Sequence, residues 1–152
     1  MNLQKKERAI GSLEQKKEEL KMSKIIDVIN DLSELLATGA ADRTSIDDAE
    51  KELGLKFATE YKEYLGAFGS VIAEDVEITG IAKSKNRNVV AVTKREWELN
   101  PQVEHNMYVV ENLAIDGIII WQDETGNVFE SMPNKQAKKV ADSLADYILS
   151  QN

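Results

Sequence analysis

A single histidine, His105, and the absence of cysteine set a tight limit on the chemistry open to this chain. A site built on two histidines, a thiolate metal site and a cysteine nucleophile are excluded, and any Ser-His-Asp arrangement has to use His105. That residue lies in the polar run Pro101-Gln102-Val103-Glu104-His105-Asn106, and no G-x-S-x-G element supplies an exposed nucleophile. It reads as a solvated loop side chain. Paired carboxylates occur at Asp47-Asp48, Glu74-Asp75 and Asp123-Glu124. Neighbours in sequence project apart from a helix or strand instead of converging on one bond, and none of these pairs lies in the alternating acidic loop that holds calcium. The glycines of AEKELGLKFATEYKEYLGAFGS, at Gly54, Gly66 and Gly69, match no phosphate-cradling fingerprint. The expectation is a chain with no catalytic residue, no cofactor and no metal.

The same carboxylates suit binding. With 19 basic against 27 acidic residues the net charge is −8, which argues against direct contact with nucleic acid, whose phosphates call for a basic face. Glu74, Asp75 and Glu77 precede or line a predicted strand, Asp116 sits in the turn before another, and Asp123 and Glu124 sit in the turn after it. Placed together on one edge of a sheet, these turns would steer a basic protein partner. Trp97 is a candidate interface anchor, whereas Trp121, at the end of the apolar run from Gly117, is expected half in the core. That run is too short to span a bilayer and the N-terminus lacks an apolar leader region, so the reading is of a soluble, cytoplasmic protein with no membrane partner.

The elements that must position these residues emerge from periodicity. At 152 residues one domain is expected, divided into a helical N-terminal extension, 1–21, and a domain over 22–152. Residues 1–22 hold six Lys/Arg and four Glu, a local +2, against −10 for the rest. Ile25, Val28, Ile29, Leu32, Leu35 and Leu36 predict a helix ending near Thr38-Gly39, whose apolar seam also suits a homodimer. Ser45 and Asp48 resemble a capping box for a helix burying Ile46, Ala49 and Leu53, stopped by Gly54. Tyr61, Tyr64, Leu65 and Phe68 define a second helix closed by Gly69, with Gly66 inside it reserved for close approach of a neighbour. Strands are expected around Val76–Ile78, at 107–111, and at 118–122 and 128–131, the last two as a hairpin. VVAVTKREWELN has strand-forming valines but helical spacing, and is read as a helix capped by Asn88. Ala137, Val140, Ala141, Leu144 and Ile148 predict one C-terminal amphipathic helix.

Leu53, Gly54, Phe57, Tyr61, Leu65, Phe68 and Gly69, in LGLKF followed by YKEYLGAFG, resemble the SUKH superfamily, which includes fungal cell-wall regulators and bacterial immunity proteins. The resemblance runs from about Ser45 to the C-terminus and implies an α+β domain with an antiparallel-rich sheet packed with several helices. It also implies an immunity protein that binds a cognate toxin, a basic nuclease domain by the charge argument, and blocks its active site or substrate path. The alternative is a non-enzymatic regulatory scaffold of the cell-wall-assembly type. Where the family often has proline before the acidic-aromatic pair of the second helix, this chain has Ala58, which predicts a less rigid start to that helix.

Overall fold

The computed structural model describes residues 24–151, and the expected extension over 1–21 lies outside them. Helix α1, residues 24–30, buries Ile25, Val28 and Ile29. It ends earlier than its apolar spacing predicts. Residues 31–34 turn, with Glu34 at φ 57°, and the chain continues as strand β1, Leu36–Ala37, whose neighbours Thr38 and Gly39 donate backbone bonds to Ser70 and Phe68. Asp31 and Ser33 are weak helix formers, and pairing of Leu36 and Ala37 with Ile72 and Val71 captures the residues beyond them. Leu36 is consequently 70% exposed, and the seam proposed for a dimer is cut to the buried face of a short core helix.

Helix α2, Arg43–Leu53, is capped by Asp42, whose carboxylate accepts from the Ser45 amide at 2.7 Å. Ser45 thus receives the cap that it was expected to form. Gly54 closes α2 in the left-handed conformation, φ 67° and ψ 30°, where glycine avoids a side-chain penalty. Helix α3, Thr59–Phe68, ends differently: Gly69 has φ 75° and ψ −73°, and the Ser70 amide bonds to the Phe68 carbonyl, a γ-turn. A Cβ on Gly69 would overlap the Gly39 carbonyl, and one on Gly80 would overlap the carbonyl of Gly69. Three backbone segments are therefore stacked at glycines. Gly66 does not belong to this stack. It is exposed on α3 with open space around its missing Cβ, so no neighbour accounts for it.

Strands β2, Val71–Ile72, and β3, Glu77–Ile78, complete a three-stranded antiparallel sheet in the order β1-β2-β3. Helix α4, Val89–Leu99, comes next, with the Asn88 side chain accepting from the Val90 and Ala91 amides as expected. Strands β4, Met107–Asn112, β5, Ile119–Asp123, β6, Val128–Ser131, and β7, Lys138–Ala141, form an antiparallel meander. The Thr79 amide bonds to the Val110 carbonyl and joins the two sheets. The single C-terminal helix predicted from Lys135 is instead β7 plus a short helix α5, Leu144–Ser150, begun by Ser143. Lys138–Ala141 pairs with β6, and Ser143 accepts from the Asp146 amide, so sheet pairing and a cap divide one apolar periodicity into two elements. The fold is α+β. Tyr108, Val110, Ile120 and Val128 face a core shared with α1, α2, α3 and α5, while Met107, Val109, Ile119 and Trp121 face the second core with Val92 of α4. Trp121 is wholly buried and donates to Ser131, deeper than the half-buried site expected.

One hydrogen-bonded relay crosses the first core. The Ala58 amide donates to the Tyr108 hydroxyl at 3.0 Å, and that hydroxyl donates to Gln122 Oε1 at 2.8 Å. Gln122 Nε2 donates to Glu60 Oε1 at 2.8 Å, and Glu60 accepts the Leu144 and Ala145 amides at the start of α5 at 2.7 and 3.0 Å. Ala58 is thus used for its N–H, which proline lacks. With φ −59° at this position a proline ring fits the backbone, so Ala58→Pro gains about 0.4–1 kcal/mol of chain entropy but leaves the buried Tyr108 oxygen short of a donor, at about 1–3 kcal/mol. Net destabilisation by chemical denaturation is the expected result. In the same assay Gly66→Ala should stabilise by about 1 kcal/mol, whereas Gly80→Ala should destabilise by ~3 kcal/mol or more, because backbone must move.

Candidate partner-binding surface

The strand register sorts the residues expected at an interface into two groups. In the β4–β5 pair Met107 lies opposite Asp123, and Asn112 lies opposite Ile119. The turn with Asp123 and Glu124 is therefore at one end of the sheet and the loop with Asp116 at the other, about 17 Å apart along β4. Glu77 belongs with Asp116, since its amide donates to Glu111 Oε2 at 2.9 Å and its side chain shares a cleft with Asn112 and Ala114. Glu74 and Asp75, in the β2–β3 turn, are exposed at that same end. The single acidic edge is thus two separate surfaces.

The Asp116 end is shaped by a strained loop. Ala114, Asp116 and Gly117 all have positive φ, at 56°, 52° and 68°, and for alanine this costs about 1–2 kcal/mol. Asn112 holds the loop by accepting the Ala114 amide at 2.8 Å, and Gly117 packs so closely on Pro133 that a Cβ would collide. Between the strained residues Ile115 projects with 58% of its surface exposed. Among the described residues the carboxylates of Glu74, Asp75 and Asp116 have no ion-pair partner, whereas Glu77 pairs with Arg87 at 3.5 Å. A fixed apolar tip results, with Asp116 next to it and Glu74 and Asp75 at the same end of the sheet.

Glu111 anchors this end from beneath. A bulge after Val109 puts Glu111 opposite Ile120, on the face of α5. There its carboxylate accepts the Tyr147 hydroxyl at 2.7 Å and the Glu77 amide. Burial, with 5% of the residue exposed, raises its pKa above the ordinary 4.5, partly opposed by those two hydrogen bonds.

At the other end Asp123 is used by its own turn: Oδ1 accepts the Thr125 amide and hydroxyl and the Asn127 amide. Glu124 is exposed beside it. Trp97 is half-buried here, donating to the Met107 carbonyl at 3.1 Å and stacking on the exposed His105 at 4.3 Å. Trp97 and His105 form a small aromatic ledge.

The remaining polar chemistry is committed internally. Glu50 accepts the Phe57 amide at 2.8 Å. Tyr61 and Tyr64 bond to Thr79 and Ile78 carbonyls, and burial pushes both phenols and that of Tyr108 upward, away from use as bases near neutrality. No buried side-chain nitrogen or oxygen among the described residues lacks a partner. Among those residues there is no group of three or more potential metal ligands, and no helix long and apolar enough to cross a membrane. Sequence reasoning missed Ile115, although an apolar residue inside Asn112–Gly117, between two turn-forming ends, was its signal. It also missed Glu60 and Glu111, whose roles depend on partners far along the chain.

A family model described as SMI1-KNR4 cell-wall, the SUKH_5 branch, matches residues 22–151. No curated protein matches the chain.

The raised pKa of Glu111 gives a signed prediction. Its folded form keeps the proton to higher pH than its unfolded form, so its contribution to stability falls as pH rises from about 4.5 through the raised value. Asp42 and Asp146 are lowered, by hydrogen bonds from Ser45 and Lys24 respectively, and their stabilisation is lost only as pH falls below the ordinary 3.8. Denaturation midpoints of the chain and of Glu111→Gln should therefore differ in slope above pH 4.5, the variant lacking the decline, and parallel curves in that window would refute the assignment.

Proposed function

The chain belongs to the SMI1-KNR4 cell-wall family, and on that premise we propose that it is a non-catalytic immunity protein that binds a toxin domain and covers its active site or substrate path. The observation that carries this reading is the β4–β5 loop, where Ile115 is held out in solvent between residues with positive φ, next to Asp116 and at the same end of the sheet as Glu74 and Asp75, whose carboxylates are unpaired among the described residues. Backbone strain persists where surrounding structure imposes it, and is concentrated at functional positions. An apolar knob at the end of the sheet that carries these carboxylates suits a socket in a basic groove: the acids accelerate encounter and the knob holds the complex. A nuclease groove, basic because it binds phosphates, has that chemistry. Commitment of the buried carboxylates and phenols to partners within the chain supports inhibition by occupation, with no turnover.

The cell-wall description of the family favours a second reading, a regulatory scaffold for envelope proteins. The two differ in what a tagged chain captures from its native cell. The immunity reading expects one basic toxin domain, inactive in the complex and bound less tightly at high salt. Ile115→Asp should weaken that complex by ~2 kcal/mol, about 30-fold, and Glu74→Lys with Asp75→Lys and Asp116→Lys should also flatten its salt dependence, with Glu124→Lys as the control from the other end. Recovery of several envelope or signalling proteins, with no poison neutralised, would give the scaffold reading first place.

A further inference from the structure

One internal stretch of this acidic protein is basic without any compensating acid. Residues 83–95 contain Lys83, Lys85, Arg87, Lys94 and Arg95 and no acid, so with a net charge of −8 overall the rest of the chain carries −13. The fold brings two of these residues, Arg87 and Arg95, to one cleft. The loop before α4 is fixed by Asn88 Nδ2 donating to the Ala82 carbonyl at 2.9 Å, by the Gly80 amide donating to Arg87 at 2.9 Å, and by the Arg87 and Asn88 amides donating to Ser84. Arg95 of α4 is held on two sides, its Nε by the buried carboxylate of Glu96 at 3.2 Å and its Nη1 by Asn86 Oδ1 at 3.4 Å. Arg87 and Arg95 then line one cleft with Thr79, Asn86, Asn112 and Glu77.

The volume of this cleft, about 210 Å³, lies below the 300–1,000 Å³ range of small-molecule sites. It suits a single compact group. Two guanidinium groups match the paired oxygens of carboxylate or phosphate, and the amide groups of Asn86 and Asn112 can donate to the same oxygens. A carboxylate already rests there: Glu77 Oε1 is 3.5 Å from Arg87 Nε, with both side chains about half exposed, at 55% and 40%. A pair this open is weak. We propose that the cleft between the loop before α4, α4 itself and the β4–β5 loop is a site for a compact oxyanion, phosphate or carboxylate, and that Glu77 occupies the Arg87 side of it until such a group arrives. The assignment does not depend on which protein the chain binds.

The test is titration of the full chain, with its arginine and asparagine side-chain N–H groups followed by NMR, against inorganic phosphate in one arm and acetate in the other, at ionic strength held constant with sodium chloride. Saturable shifts confined to Arg87, Arg95, Asn86 and Asn112 in either arm support the site, and the arm that saturates at lower concentration identifies the oxyanion. Arg95→Gln should abolish saturation. Glu77→Gln should tighten binding roughly three- to tenfold, because it removes a like charge and releases Arg87. Glu77 is exposed and lends only its backbone amide to Glu111, so this variant keeps the fold. Shifts that stay linear in both arms, or no tightening in Glu77→Gln, would overturn the proposal.

Discussion

Glu60 stands where distant parts of the chain meet. It lies in the first turn of α3, yet its two carboxylate oxygens take the amides of Leu144 and Ala145, 84 and 85 residues away, at the start of α5. A helix the length of α5 has little stability of its own, and its free N-terminal donors must be satisfied from outside. Ser143 supplies one acceptor and Glu60 supplies two. Because Gln122 bonds to both Glu60 and Tyr108, and Tyr108 bonds to the Ala58 amide, the start of α3, strands β4 and β5 and the start of α5 share one polar circuit. Hydrogen bonds to a carboxylate are each stronger than neutral ones, and removal of any member strands a buried partner. The aromatic cluster of Phe57, Tyr61 and Tyr108, with centroids 4.7–5.1 Å apart, packs at the Tyr108 end of this circuit.

Much of this architecture is legible in the residues. Asn88 as a cap, the hairpin around Asp123–Asn127, and the buried stripe of Tyr61, Tyr64, Leu65 and Phe68 are local signals, set by side chains within a few positions of each other. Leu36 and Val140 mislead for the opposite reason. Each continues a helical periodicity, and each is drawn into a strand by a partner, Ile72 or β6, that the local spacing does not contain. Ala58 reads as a looser substitute for proline when only its φ is considered, while the use of its N–H depends on Tyr108, 50 residues on.

The candidate surface is legible in composition but not in arrangement. Glu74, Asp75, Glu77, Asp116, Asp123 and Glu124 do lie in or beside turns, as their types suggest, but the register of β4 and β5 sends them to opposite ends of the sheet. Asp123 further differs from its neighbours because its carboxylate accepts bonds within its own turn. The bulge near Val110 is the least readable feature of all. It arises where pairing slips by one residue, and it alone brings Glu111 under β3 to accept the Glu77 amide.

If the β4–β5 loop is the recognition element proposed above, stability and recognition place opposite demands on it. Glycine at position 114 would relieve the left-handed strain that alanine bears at φ 56°, and nothing in the main core requires the methyl group. The same change would widen the conformations open to the loop, and Ile115 would lose the fixed direction that Asn112 and Pro133 now impose from either side. A side chain that is more than half exposed gains little from folding, so a restrained Ile115 has no evident return within the isolated chain. On the proposed immunity reading its restraint would become favourable once a partner supplied the missing apolar surface, because the ordering entropy of the loop would have been met before contact.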